Sequence, residues 1–271
     1  MVIFPNCKIN LGLNIISKRP DGFHNIETVF YPVALHDALE VIAAGDGVFE
    51  FNTSGLAIPV DPAKNLCVKA YQLLKKDFRL PAVKMHLHKV IPMGAGLGGG
   101  SSDGAFALRL LNDMFRVGLN NAQLTEYARI LGSDCSFFIE NQPCHAFEKG
   151  DKVEPAEVDL SGLTLAVIVP GVHVSTPEAY SAITPAIPDH LPAKVVNLPV
   201  ERWKNRLVND FEKTVFQRYP VIGEIKQNLY KTGALYASMS GSGSAVYGLF
   251  EEAPRLNDLF AGHFQWLSHR L

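Results

Sequence analysis

The chain has 271 residues, 47% of them hydrophobic and 19% charged, with a formal net charge of −2. This length suits one large domain or two of about 100–200 residues, and the balance describes a globular protein with a real core. The near-neutral charge leaves no basic footprint for nucleic acid, and no apolar run approaches the roughly 18 residues that cross a bilayer.

The opening "MVIFPNCKIN" lacks the basic and apolar regions of a secretory leader. A cytoplasmic protein without membrane or nucleic-acid partners is therefore expected. Cys7, Cys67, Cys135 and Cys144 form no C-x-x-C pair, which fits free thiols in a reducing compartment.

Taken in chain order, "CKINLGLNII" alternates. Cys7, Ile9, Leu11, Leu13 and Ile15 face one way and Lys8, Asn10, Gly12 and Asn14 the other, predicting a strand with one buried face. "RPDGFH" reads as a turn and "IETVFYPV" as the returning strand. "ALEVIAA" and "VFEFN", on either side of Gly45-Asp46-Gly47, predict a second hairpin. "NLCVKAYQLLKKDF" has helical spacing, and "VKMHLHKV" returns to strand alternation. His86 and His88 share a face of that strand. Without a third ligand nearby they read as an exposed polar face rather than a metal pair.

"SSDGAFALRLLNDMF" predicts a helix with Ser101 or Ser102 as its N-cap. "NAQLTEYARIL" predicts another, with an Asn120–Gln123 capping box and Gly132 as its stop. After about residue 150 the pattern restarts. "LTLAVIVP" reads as a central strand covered on both faces, and "TPAIPDHLPAKVVNLP" as irregular chain. The helices "LVNDFEKTVFQRY" and "VIGEIKQNLYK" follow, then the strands "ALYASM" and "SAVYGLF" around "SGSG". The expected domains are 1–150 and 151–271.

The densest signal is "PMGAGLGGGSSDGA", from Pro92 to Ala105. Glycine loses the most backbone freedom on folding, so such a cluster marks a loop that something must approach closely. A Walker A loop needs Lys-Ser or Lys-Thr after the last glycine, and Gly100 is followed by two serines. Gly94, Gly96 and Gly99 match a dinucleotide spacing, but the preceding strands are antiparallel in pattern and no acidic residue ends a following strand. The H-R-D and D-F-G tripeptides of protein kinases do not occur. What remains is the common physics of backbone N–H groups feeding a helix N-terminus, a nest for the anionic tail of a polyphosphate. A plain flexible loop is the bland alternative, although linkers lack a strand and an amphipathic helix on either side.

Three separated segments, "PNCKINLGLNIISKRPDGFHNIETVF", "PMGAGLGGGSSDGAFALRLLN" and "MSGSGSAVYGLF", together resemble the three motifs of the GHMP kinases, in the right order over nearly the whole chain. The resemblance implies an α+β fold of two domains. The N-terminal one would be like ribosomal protein S5 domain 2 and the C-terminal one ferredoxin-like, with the active site in the cleft between them.

"RPDGFH" and "GLGGGSSD" are similar to the branch of the superfamily that phosphorylates the 2-hydroxyl of a CDP-linked methylerythritol in non-mevalonate isoprenoid synthesis. A kinase for another alcohol, or a non-catalytic ligand sensor on the same fold, are the competing readings. The cofactors implied are ATP and Mg²⁺, and a monomer or weak homodimer is expected.

By resemblance, Lys8 and Asp134 are the catalytic pair, with Asp134 as general base. The ATP site comprises Pro92, Met93, Gly94, Ala95, Gly96, Leu97, Gly98, Gly99, Gly100, Ser101 and Ser102, with Asn65 and Lys89 near the adenine. The substrate side comprises Asn10, Phe23, His24, Thr176, Tyr180, Gly241 and Gly243, the rings of Phe23 and Tyr180 serving to stack on the base. No residue is expected to bind metal directly, with Ser101 or Ser102 as the one candidate contact to Mg²⁺. Read by themselves, Lys8 fits a solvated strand face, Asp134 and Asn65 fit helix caps, and Tyr180 fits ordinary core. The sequence departs from the family's usual pattern at Asn6, Cys7, Phe23, Gly104 and Ser242, where proline, alanine, tyrosine, alanine and threonine are common.

Overall fold

The structure, a computed structural model, describes residues 1–59, 61–181, 183–256, 259–268 and 271. Its strands are β1 (Val2–Ile3), β2 (Asn6–Lys18), β3 (His24–His36), β4 (Ala38–Ala43), β5 (Glu50–Gly55) and β6 (Val83–Lys89), then β7 (Cys144–Glu148), β8 (Lys152–Pro155), β9 (Thr164–Val169), β10 (Tyr236–Met239), β11 (Val246–Phe250) and β12 (Phe264–Leu267). The helices are α1 (Leu66–Phe78), α2 (Gly99–Met114), α3 (Asn121–Leu131), α4 (Phe137–Glu140), α5 (Thr176–Ser181), α6 (Pro192–Val195), α7 (Phe211–Arg218) and α8 (Pro220–Lys231).

These residues gather into two compact units, which differ from the consecutive halves predicted around residue 150. One holds 1–7, 33–93 and 98–142; the other holds 8–32, 94–97 and 143–271. The reason lies in the first hairpin. Leu13, Ile15 and Ile26 are buried in the same core cluster as Ile168, Leu229, Met239 and Phe250. The apolar face of an N-terminal strand is thus completed by residues more than 150 positions away.

In the first unit the sheet order is β1-β4-β6-β5. The predicted hairpin of β4 with β5 does not form. Instead β6 lies between them, antiparallel to β4 and parallel to β5. Composition explains the choice. Leu87 and Met85 of β6 sit opposite Leu39 and Val41, giving buried apolar cross-strand pairs. The polar segment "EFNTSG" of β5 suits the exposed edge. Helix α1 is the crossover that a parallel β5–β6 pair requires.

Asn65 caps α1 by accepting from the Cys67 N–H at 2.9 Å. Gly104 sits where α2 meets α1, and a Cβ there would lie 2.7 Å from Leu66 Cβ. That close approach accounts for glycine where the family commonly has alanine. The Asn120–Gln123 capping box and the Gly132 end of α3 form as predicted.

In the second unit β9 is central, buried at all six positions between β11 and β12, as its apolar run predicts. Helix α7 begins only at Phe211, so Asn209 and Asp210 precede it. The hairpin strand β2 has no solvated face at its start, since Asn6 to Ile15 are all buried. All four cysteines are buried and none is in a disulfide.

Candidate active site

The glycine loop is built by what its carbonyls do. Ala95 O accepts from Ala245 N–H at 3.0 Å, Leu97 O from Lys8 N–H at 2.9 Å, and Gly98 O from Ser102 N–H at 2.9 Å. Gly96 O accepts from Ser240 Oγ at 2.8 Å. Four successive carbonyls are therefore spoken for. From Gly96 to Ser101, by contrast, no backbone N–H finds an acceptor among the described residues. Buried Ala95 and Leu97 anchor the loop, while Gly94, Gly96, Gly98 and Gly100 are more open. An array of amides with no internal partner, running into the positive end of a helix, is a site for an anion.

The start of α2 corrects one expectation. Its N-cap is Gly98, in the left-handed region at φ 70°, and no side chain caps the helix. Ser101 and Ser102 lie inside the first turn. Ser102 Oγ is buried without a partner, whereas Ser101 is half-buried and hydrogen-bonds the Cys135 thiol. A side-chain cap would have consumed amides that the glycine leaves open.

Lys89 is a second correction. Its ammonium is fully buried between Asp37 and Asp103, bonding Asp103 Oδ2 at 2.8 Å. It is a strut rather than a cation presented to adenine. Asp37 Oδ1 accepts from the N–H groups of Val90 and Ile91, at 2.6 and 2.8 Å. One buried cluster therefore ties the residues entering the loop to Asp103 at its exit. Neither carboxylate was singled out from the sequence: Asp37 lies between two strands and Asp103 ends the glycine–serine run, and only the fold brings them to Lys89.

Burial raises the Asp103 carboxyl to about 7, reinforced by the neighbouring Asp37 and opposed by Lys89. Since the folded protein holds this proton more tightly than the unfolded chain, this group's contribution to stability falls as pH rises from about 4 to about 7. Asp103→Asn removes that dependence. The melting temperature of the variant, relative to the parent, should rise from pH 5 to pH 8; a constant difference would count against a buried titration at Asp103.

On the second unit, Lys8 and Asn10 are buried, at 3% and 2% exposure, so the solvated strand face does not hold. Lys8 Nζ donates to Asn10 Oδ1 at 2.6 Å and lies over the Phe30 ring, 4.7 Å from its centroid. The Asn10 amide is oriented by its donation to Thr28 Oγ1 at 3.0 Å, and Thr28 in turn donates to Gly12 O. Desolvating an ammonium this way is costly unless it is engaged, and engaged lysines in such settings are functional candidates.

The third motif packs onto the loop. A Cβ on Gly241 would lie 3.2 Å from Gly96 Cα, and one on Gly243 would lie 2.7 Å from Met239 Sδ. Both glycines thus serve contacts within the chain. Thr176 Oγ1 and Ser242 Oγ are 3.3 Å apart. Tyr180 is stacked on His24 at 4.7 Å and meets Phe211 edge-on at 4.8 Å. Phe23 is 61% exposed, beneath the Lys149 ammonium. The structure therefore pairs Tyr180 with His24, leaving Phe23 apart. His86 and His88 share a polar face, both bonded to Ser54 Oγ.

On the first unit, Asp134 is half-buried in a single helical turn, Ser133–Cys135, directly after the Gly132 stop. Lys8 and Asp134 belong to different units.

Two family models match this chain: the GHMP kinases N-terminal domain over residues 65–142 and the GHMP kinases C-terminal domain over 200–261. Fold, loop and matched segments define a GHMP-type small-molecule kinase of α+β architecture. The 4-diphosphocytidyl-2-C-methyl-D-erythritol kinase of Bacteroides fragilis is 52% identical, covering 96% of this chain and 95% of its own length. That of Parabacteroides distasonis is 49% identical, covering 98% of each. A crystal structure of 4-(cytidine 5'-diphospho)-2C-methyl-D-erythritol kinase superposes with TM-score 0.78 at 31% identity, covering 92% of this chain and 90% of that one. The chain belongs to the 4-diphosphocytidyl-2-C-methyl-D-erythritol kinase family within the GHMP kinases.

Proposed function

We infer that this protein transfers the γ-phosphate of ATP to the 2-hydroxyl of 4-diphosphocytidyl-2-C-methyl-D-erythritol. The observation that carries the phosphoryl-transfer chemistry is the loop, with its carbonyls engaged inward and the amides from Gly96 to Ser101 left for a polyphosphate. The choice of alcohol follows the relatives that match over nearly their whole length, which are kinases of 4-diphosphocytidyl-2-C-methyl-D-erythritol.

Phosphoryl transfer relies mainly on positioning and charge neutralisation, with little covalent work for the protein. Loop amides and the α2 N-terminus bind the triphosphate. Lys8, held by Asn10, stabilises charge near the acceptor hydroxyl, and Asp134 accepts its proton as the oxygen attacks the γ-phosphorus and the bond to the β-phosphate breaks, releasing ADP. Mg²⁺ arriving with ATP supplies further neutralisation. Of the two serines, Ser101 is the partly exposed one, so it is the hydroxyl suited to touch the phosphate or its metal. On the substrate side Tyr180 offers its ring to the cytosine and His24, stacked on it, a hydrogen bond, with Thr176 four residues earlier on α5 as a further contact and Phe23 a separate, exposed ring.

A coupled ATP-consumption assay tests the reading. Turnover is expected with the CDP-linked alcohol and not with homoserine or mevalonate. Equal turnover with another of these alcohols would overturn the substrate assignment, and no ATP consumption with any of them would favour the sensor reading.

A further inference from the structure

The tetrapeptide Asn209-Asp210-Phe211-Glu212 reads in sequence as part of a helix, yet its polar side chains also hold other segments. Asn209 is 1% exposed. Its Nδ2 donates to Met239 O and to Gly241 O, both at 2.8 Å, and its Oδ1 accepts from Phe211 N–H at 3.0 Å. Both amide hydrogens and the oxygen are used, so the side chain has one orientation. The carbonyls it grips flank Ser240, at the turn after β10.

The neighbours complete a hub. Asp210 accepts from Ile15 N–H at 2.7 Å and Asn14 Nδ2 at 3.0 Å, both on β2. Glu212 accepts from Met239 N–H at 2.9 Å and Ser238 Oγ at 3.1 Å, and its other oxygen from Lys226 Nζ at 2.5 Å. Backbone bonds between Leu13 and Val208, and between Asp210 and Leu13, close the junction. One short segment thus fixes strand β2 on one side and the β10–β11 turn on the other.

From Ser240 the connections run to the reacting groups. Ser240 Oγ donates to Gly96 O at 2.8 Å and accepts from Asn10 N–H at 3.2 Å, while Asn10 Oδ1 holds Lys8 Nζ at 2.6 Å. We propose that Asn209 is a positioning residue for phosphoryl transfer: by clamping the carbonyls on both sides of Ser240, it sets the glycine loop and the Lys8–Asn10 pair in register. The proposal rests on the kinase reading above. Displacing that register misaligns the bound phosphate against Lys8 without withdrawing the loop amides, so it acts on kcat more than on KM.

The test compares Asn209→Ala, Ser240→Ala and the double variant as full chains, with ATP and the CDP-linked alcohol. Each single variant is expected to lose about tenfold or more in kcat, with KM for both substrates within about threefold. The double variant should be no worse than the weaker single by more than about threefold, because both changes cut one line of contacts. A kcat for Asn209→Ala within about twofold of the parent, per folded molecule, would overturn the proposal, as would fully multiplicative losses in the double variant. Should Asn209→Ala fail to fold, Ser240→Ala carries the test, since it leaves both Asn209 bonds in place; near-parental kcat there sinks the idea. Parental turnover of the CDP-linked alcohol separates the two readings. Its absence counts against the substrate, and the variants are then compared on whichever alcohol the parent does phosphorylate.

Discussion

Asp134→Ala is expected to lower kcat by about 10²- to 10⁴-fold, the range that a positioned general base supplies. ATP affinity should stay within about threefold, since the loop amides that take the triphosphate are untouched. The local structure supports a fixed carboxylate: Gly132 ends α3, the turn Ser133–Cys135 follows, and the next residues, Cys135 to Ile139, are buried. Asp134→Asn should fall as far as the alanine variant, because it keeps the shape and loses the proton acceptor. Turnover is read in the coupled assay and affinity by titration with a non-hydrolysable ATP analogue. A kcat for either variant near the parental value would remove Asp134 from the reaction.

The second large effect separates two glycines of one loop. Gly96 has φ +80°, and its added Cβ would fall deep inside contact with Ser240 O and 2.9 Å from the Ser240 carbonyl carbon. Gly96→Ala combines left-handed backbone strain with overpacking against backbone, and should cost about 2–5 kcal/mol of stability. Gly100 is helical, and a Cβ there meets nothing within 4 Å. Gly100→Ala should fold at least as stably, gaining up to about 1 kcal/mol from reduced chain freedom. Its methyl would nevertheless stand over the open amides, raising KM for ATP by about tenfold or more. Denaturant unfolding and steady-state kinetics read the two quantities separately. If Gly100→Ala bound ATP normally, the triphosphate would not lie over the first turn of α2.

The same contrast explains what was legible beforehand. A glycine cluster between an alternating strand and an amphipathic helix announces a loop of special conformation, and the absence of a Walker lysine narrows its class. Which glycines serve the ligand and which serve the fold is invisible in sequence. Gly96 and Gly241 answer to each other across more than 140 positions, whereas Gly100 answers to no neighbouring atom. Lys89 shows the limit from the other side. A lysine at a strand end reads as exposed, and only the convergence of Asp37 and Asp103 makes its burial tolerable. The hairpin drawn between β4 and β5 failed for a related reason. Local turn chemistry was right for a connection, but the apolar β6 was a better partner for β4 than the polar β5.

By itself the sequence determined the periodic elements, the helix stops and caps set by side chains such as Asn65 and Asn120, the absence of disulfides and the membership of the GHMP kinases through three ordered motifs. These depend on neighbours a few residues apart, where backbone preference and hydrophobic period act directly. The tertiary structure alone decided strand order, the assignment of residues 8–32 to the C-terminal unit, the Lys89 strut and the Asn209 clamp. Each of those joins groups distant along the chain. Strand order and the placing of residues 8–32 follow from burying apolar faces, while the strut and the clamp pair charges and amides whose burial alone would be costly; no local pattern encodes which partner will be there.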